Sequence, residues 1–408
     1  MALFTIIALL VGVAGAVARP FRLPSSVVPA FAAVAVIVAG GLSLGAARHA
    51  LDPLTEPIGF LLAAVPLAVL LDRYGYFSAA AGLLTRGERG VGGLWVLAAL
   101  VTTVLNLDAA VVLLTPLYVN IARRSGRDPL ALALIPVLLA CLASSALPVS
   151  NLTNLIAVSS TGASTAGFLS NLALPSLVAT AVGWGLYRRL PAFAPASRAG
   201  KEGGVVGADE GAGGEGSVRR VLLVGSLIVV LVLIGFTCGR LVGVAPWGVA
   251  LGADVVLIAL RRDLPWRSIP VGTALVAISL GILASAAATH LPVHRLLAGT
   301  STVAQARTTG VMALAANVAN NLPALLVAVP ALGPRPSPAL WSVLLGVNMG
   351  PVLLATGSLA SLLWLDALGR LGVAVKARDF SIAGLRVGLP ALVAGTAVHL
   401  ALHAAGVT

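Results

Sequence analysis

Asn106-Leu107-Asp108, set inside an apolar run, and Ser150-Asn151-Leu152-Thr153-Asn154 beyond it decide how this chain is read. A second pair lies in the other half: Asn317-Val318-Ala319-Asn320-Asn321-Leu322-Pro323, then Thr356-Gly357-Ser358-Leu359-Ala360-Ser361. Amides, hydroxyls and a carboxylate at membrane depth are costly unless they face one another or a polar ligand. Interruptions at matching places in two halves point to a binding site near the bilayer midplane, between structural repeats.

The membrane assignment follows from composition. Of 408 residues, 59% are hydrophobic and 10% charged, and the mean hydropathy is +1.03. A soluble domain carries roughly 25% charged residues, so this chain cannot cover itself with a wetted surface. Apolar runs long enough to span a bilayer recur between charged punctuation, the cleanest being 221–239 between Arg220 and Arg240. The net charge of +12 comes from arginines clustered at segment ends, the positive-inside pattern, and nucleic acid is excluded as a partner. Cys141 and Cys238 sit in separate apolar segments as small packing residues, and no metal and no cofactor is expected. Without a positive stretch ahead of it, 3–18 reads as a retained first helix with its N-terminus outside.

The chain divides into an N-terminal membrane repeat (1–190), a flexible Gly-, Ala- and acid-rich cytoplasmic linker (191–219) and a C-terminal membrane repeat (220–408). Helices are expected near 3–18, 24–47, 57–84, 91–122, 129–161 and 166–189, and again near 221–239, 241–260, 269–289, 292–332, 338–369 and 382–405. The fourth element of each half is long and broken by Asn-rich sequence. Asn106 to Pro116 and Asn320 to Pro330 are both ten residues apart, and SNLTNLIA (150–157) aligns with GSLASLLW (357–364), setting Asn151 opposite Ser358 and Asn154 opposite Ser361.

Charge orients these elements. Arg86/Arg89 and Arg123/Arg124 flank 91–122, and both belong in the cytoplasm. A single span cannot place both ends on one side, so 91–122 is expected to be a re-entrant hairpin. The same walk puts Arg261/Arg262/Arg267 and Arg370/Lys376/Arg378 inside and the ends of 292–332 outside. The fold class is therefore an all-α polytopic membrane protein of two inverted-topology repeats, each with a re-entrant hairpin and a broken transmembrane helix. Arg48, Arg240, Arg295 and Arg335 fall singly on the outer side of this scheme.

The hairpin tips (105–109 and 317–322) and the breaks in the crossing helices (148–154 and 355–358) are expected to converge, with Pro148, Pro323 and Pro351 supporting the interruptions. Candidate solute- or ion-binding residues are Asn106, Asp108, Ser150, Asn151, Thr153, Asn154, Asn317, Asn320, Asn321, Asn348, Thr356 and Ser358. Freed carbonyls and side-chain oxygens can hold a small cation or a hydroxylic solute, while helix N-termini favour an anion. Asp108, the sole carboxylate between Glu88 and Asp128, is the candidate proton carrier, and as an N-cap it also suits the start of 109–122. Asp254 is read as reaching the interface near Arg261/Arg262. His399 and His403 have i,i+4 spacing but no accompanying HExxH-type Glu, and they read as interfacial residues near an outer end.

At NLDAAVVLLTP (106–116), LPVSNLTNL (147–155), ANVANNLPALLV (316–327) and LLGVNMGPVLLATGSLASLLWL (344–365) the chain resembles the ArsB-type arsenite/antimonite efflux permeases. These belong to the superfamily of citrate carriers, NhaD-like sodium/proton antiporters and dicarboxylate/sodium symporters. The resemblance covers essentially the whole membrane portion. It departs at the first tip, where Leu107 separates Asn106 from Asp108, and at Asn348, where the family pattern commonly has an acid before Gly-Pro. It implies a non-enzymatic secondary transporter of the plasma membrane that exports arsenite, antimonite or a similar small oxyanion against protons. Sodium- or proton-coupled transport of a carboxylate or inorganic anion is the alternative within the superfamily, and a channel or intramembrane enzyme the alternative outside it. No Ser/His dyad, paired-Asp or HExxH pattern at depth supports an enzyme. A cytoplasmic ATPase and a homodimer are the protein partners to be weighed, beside the lipid bilayer.

Shortening the linker within 198–216 should leave membrane expression and transport largely intact, because Gly-rich tethers add little packing. Normal expression with transport lost would give the segment a docking role instead.

Overall fold

Serine, asparagine and aspartate caps set most helix starts in this chain, and the computed structural model describes residues 1–84, 90–190 and 215–406. Arg86, Arg89 and the expected linker up to residue 214 lie outside the described residues. The described residues are helical throughout, with no strand among them.

The first half runs α1 (Ala2–Ala18), α2 (Val27–Val38), α3 (Leu44–Arg73), α4 (Tyr76–Leu84), α5 (Gly90–Val104), α6 (Leu107–Arg124), α7 (Pro129–Leu142), α8 (Leu152–Thr161), α9 (Thr165–Phe168) and α10 (Leu174–Tyr187). The second runs α11 (Glu215–Cys238), α12 (Pro246–Arg261), α13 (Val271–Ala288), α14 (Val293–Leu297), α15 (Thr302–Ala319), α16 (Asn321–Leu332), α17 (Pro338–Met349), α18 (Leu359–Arg370), α19 (Ala377–Ala383) and α20 (Leu389–Ala404). Five helical stretches among these residues are long and apolar enough to cross a membrane, including Leu44–Arg73, Gly216–Cys238 and Arg378–Ala404. Side chains such as Leu227, Leu231 and Ile234 on α11 and Leu251 and Val255 on α12 are exposed, as expected of surfaces facing lipid rather than water.

Two boundaries differ from the sequence reading. Helix was expected over 24–47 and 57–84, with a gap between, yet α2 ends at Val38 and α3 runs unbroken across the gap. Gly40 adopts a left-handed conformation (φ 73°), and the Ser43 hydroxyl accepts from the Ala46 amide at 3.1 Å, so one helix stops and the next is capped there. Pro53, Pro57 and Pro66 lie inside α3. Helix α11 also starts inside the expected linker, at Glu215.

Elements of 90–187 recur in order over 302–404: two helices meeting at an Asn, a helix that breaks and resumes, and a final helix. Each final helix contains a five-residue π segment, Leu169–Ala173 or Gly384–Gly388, followed by a proline, Pro175 or Pro390. A proline has no N–H to donate four residues back, and a π segment absorbs the extra residue.

Polar tips on large buried side chains are paired with backbone carbonyls: Tyr118 with Leu94 (2.5 Å), Tyr187 with Ala131 (2.8 Å) and Trp364 with Ala133 (2.7 Å). The last of these ties α18 to α7, across the two halves. Small residues allow the closest approaches. A Cβ at Gly384 would overlap the Val352 carbonyl, whereas one at Gly369 on α18 would meet nothing. Gly384→Ala should therefore lower the thermal stability of the purified protein by roughly 1–3 kcal/mol through overpacking, while Gly369→Ala should be neutral or slightly stabilising. Equal melting temperatures for the two variants would show that the π segment does not need this contact.

Candidate functional site

Four helices end their interruptions at one place. The residues lining a narrow cavity, with about 250 Å³ of empty space, are Leu107 and Asp108 of α6, Asn151, Leu152 and Thr153 at the start of α8, Asn321 and Leu322 of α16, and Leu359 and Ala360 of α18. Each is a capping residue or one of the first two positions of its helix. Four N-termini thus face a shared volume, each bringing amide hydrogens and the positive end of a dipole worth roughly half a charge.

The caps explain why the chain breaks there. Asn106 Oδ1 accepts from the Asp108 amide (2.8 Å), Asn151 Oδ1 from Thr153 (3.2 Å), Asn320 Oδ1 from Leu322 (3.3 Å), and Ser358 Oγ from Ser361 (3.1 Å). Asn106 (φ 156°) and Asn320 (φ 74°) both stand at positive φ, which Asn tolerates better than most L residues. Their side-chain nitrogens then cross-tie each tip to the neighbouring break: Asn106 Nδ2 donates to the Val149 carbonyl (3.4 Å) and Asn320 Nδ2 to the Thr356 carbonyl (3.1 Å). The pairing of Asn151 with Ser358 read from the sequence is a pairing of caps. The cap of α6 is Asn106, not Asp108, which occupies the second helical position.

Asp108 is buried, and its Oδ1 has no hydrogen-bond partner. No Lys, Arg or His lines the cavity, so Asp108 is its one ionisable lining group. A deep carboxylate without a cationic partner is free to trade between a proton and a solute hydroxyl.

Around the cavity, Asn348 joins the halves. Its Oδ1 accepts from Asn151 Nδ2 (3.0 Å) and Thr153 Oγ1 (2.6 Å), and its Nδ2 donates to Asn154 Oδ1 (2.7 Å). Asn154 Nδ2 in turn donates to the carbonyls of Ser144 and Leu147, both at 2.9 Å. This arrangement uses both faces of an amide at 348.

The twelve sequence candidates therefore separate by place. Asp108, Asn151, Thr153 and Asn321 line the cavity. Asn106, Asn320 and Ser358 cap helices that open onto it, and Asn154 and Asn348 hold it from behind. Ser150 bonds the Thr103 carbonyl (2.7 Å), and Asn317 bonds the Ala313 and Gly350 carbonyls and the Leu354 amide; both brace the breaks away from the cavity. Thr356 contributes its carbonyl. Sequence reasoning missed Leu107, Leu152, Leu322, Leu359 and Ala360, whose signal is positional: apolar residues directly after a cap present backbone N–H groups. Asp254 does not reach the interface as expected. It is buried, and its Oδ1 has no partner.

A family model described as Citrate transporter matches residues 2–346. The arsenical pump membrane protein of Yersinia enterocolitica is 25% identical over 364 residues, covering 81% of this chain and 82% of that protein. An arsenical pump membrane protein of Escherichia coli is 23% identical over 399 residues, covering 88% and 89%.

Asn348→Asp removes the donor to Asn154 and sets two acceptors face to face. It should destabilise the purified protein by roughly 1–3 kcal/mol, the cost of a buried polar group left unpaired, as read by thermal unfolding at neutral pH. An unchanged melting curve would mean that the cross-half amide network carries no stability.

Proposed function

The chain belongs to the citrate transporter family and is a multi-pass membrane transporter rather than an enzyme, and on that footing we propose that it is a proton-coupled secondary transporter of the plasma membrane exporting arsenite, antimonite or a similar small oxyanion. The observation that carries this reading is the meeting of four helix N-termini on a cavity whose one ionisable lining group is Asp108. Amide hydrogens at the N-termini suit the lone pairs of a small hydroxylated or oxyanionic solute. An ionised Asp108 accepts a solute O–H. A proton on the same carboxylate removes that acceptor, so proton and solute compete for one site, and competition of this kind drives exchange. The names of the relatives point to arsenicals as the solute.

The architecture proposed with it is two repeats, 1–190 and 220–408, of opposite orientation, with α5–α6 and α15–α16 as re-entrant hairpins. Support comes from the equivalent caps and cross-ties at Asn106 and Asn320, and from contacts between distant segment ends. Arg19 meets Asp366 at 3.3 Å, Arg73 meets Asp263 at 2.6 Å, and Arg123 donates to the Leu371 carbonyl at 2.5 Å. All six residues belong to ends that the arginine distribution assigns to the cytoplasm. His403 pairs with the Thr300 carbonyl at 2.7 Å, and both of these belong to outer ends.

A second reading, sodium-coupled transport of a carboxylate or inorganic anion, is favoured by the family's description and by the positive field of four N-termini. Everted vesicles free of sodium and given an inside-acid gradient separate the two. Arsenite accumulation there supports proton exchange; accumulation of citrate or another anion on sodium addition alone supports the second reading. In the proton-coupled case, Asp108→Asn should fold normally, because Asn106 supplies the cap, and uphill transport should fall to the level of vesicles lacking the protein. Retained uphill transport with an unchanged pH profile would remove Asp108 from the coupling step. Asn151→Ala and Asn320→Ala should instead weaken apparent solute affinity, each by roughly 1–3 kcal/mol.

A further inference from the structure

A buried polar cluster away from the cavity joins α15, α17 and α20. Ser342 Oγ donates to Gln305 Oε1 at 2.7 Å, and the same oxygen lies 3.0 Å from His399 Nε2. Gln305 Nε2 donates to the Gly299 carbonyl at 3.1 Å, which fixes which end of its amide faces Ser342. His399, read from the sequence as an interfacial residue, is 1% exposed, and its Nδ1 has no hydrogen-bond partner. The backbone carbonyl of Asn171 lies against the ring. Asn171 belongs to the π segment Leu169–Ala173, and the residue four places on is Pro175, which has no N–H to give that carbonyl.

Hydrogen counting shows that a neutral imidazole leaves this cluster one proton short. A serine hydroxyl has one hydrogen. If Ser342 spends it on Gln305, His399 Nε2 must be the protonated nitrogen, and the bare Nδ1 then faces a carbonyl, acceptor against acceptor. If Nδ1 carries the hydrogen and donates to Asn171, Nε2 must accept from Ser342, and Gln305 Oε1 loses its donor. Only the doubly protonated ring closes every bond: Nδ1–H to Asn171, Nε2–H to Ser342, Ser342 to Gln305. We propose that His399, with Ser342, Gln305 and the Asn171 carbonyl, is a second proton-binding site, separate from the solute cavity.

The surroundings suit that role. Gln305 leads directly to the exposed segment 298–301, so a proton has a short way in from water. Among titratable or charged groups on the elements packed around His399, His403 lies one turn along α20 and is bonded to Thr300. Arg307 of α15 is turned to the Ala298 carbonyl. Tyr187, at the far end of α10, is bonded to Ala131, and Arg386 lies in the π segment ahead of α20. Helix α17 carries no charged residue. No carboxylate stands by to hold a permanent imidazolium, which makes the proton exchangeable rather than structural. The bound proton ties α20 to the π segment before α10, and so fastens the last helix of one half to the last helix of the other.

The test reads the proton directly, so its failure is separable from failure of the arsenite reading. Histidine-specific 15N NMR would follow the full chain in lipid nanodiscs with His49, His290, His294 and His403 replaced by Gln. Between about pH 8 and pH 4, His399 should pass from a neutral ring to one protonated at both nitrogens, with its Nδ1–H held in a hydrogen bond. Should the His403 replacement impair folding, the difference between wild-type and His399→Gln spectra isolates the same signal. Ser342→Ala, which deprives the charged ring of an acceptor, should weaken proton affinity roughly tenfold, the worth of one hydrogen bond to a charged group. A ring that stays neutral throughout, in either tautomer, overturns the site; titration that Ser342→Ala leaves unmoved overturns the role of the relay.

Discussion

Backbone amides and carbonyls freed inside a bilayer must find partners within the protein, because no water is there to take them. Everything at the centre of this chain follows from that demand. Four interruptions are placed at membrane depth, and each carries an amide or hydroxyl that does two jobs. The oxygen of Asn106, Asn151, Asn320 or Ser358 quiets an N–H of the helix that begins there, and in the three amides the nitrogen reaches across to a neighbour. Alanine at any of these positions would leave polar backbone bare in hydrocarbon. The caps are thus conditions for the breaks to exist.

Paying for the breaks in this way leaves the first-turn N–H groups of four helices pointed into one volume, and the attraction for lone pairs arises from backbone rather than from side-chain cations. The field is fixed in place and does not titrate. What titrates is Asp108, so the balance of charge in the cavity is set by a single carboxyl group against a constant background. A lysine or arginine in the same place would hold an anion strongly through the whole cycle, and a carrier must also let go.

Much of this was legible in the sequence. Asn at an apolar depth, recurring ten residues before a proline in each half, marks both tips, and SNLTNL against GSLASL marks both resumed helices. The helix starts along α2 and α3 were not legible, because three prolines inside α3 resemble a boundary while Gly40 and Ser43, which set the real one, lie in an unremarkable small-residue stretch. The apolar lining at Leu152, Leu359 and Ala360 was hidden for a different reason: its contribution is the backbone, which the side-chain letters do not announce. His399 was misplaced because spacing along α20 says nothing of Ser342 and Gln305, which tertiary packing brings to it from 57 residues away and beyond.

The Asn348 contacts have a mechanical consequence. They lie between a helix of the second half and the resumed helix of the first, so the two halves cannot slide past each other at that level without breaking three side-chain hydrogen bonds together. No water is at hand to replace them one at a time. Rupture is therefore concerted, and the joint behaves as a latch: stiff to small thermal displacements, and released only by a motion large enough to part all three. The corresponding break before Ser358 is braced by Asn317 from within its own half and has no such tether to the other. Compliance is consequently uneven around the cavity, with a rigid wall at Asn151 and Thr153 and a softer one at Leu359 and Ala360.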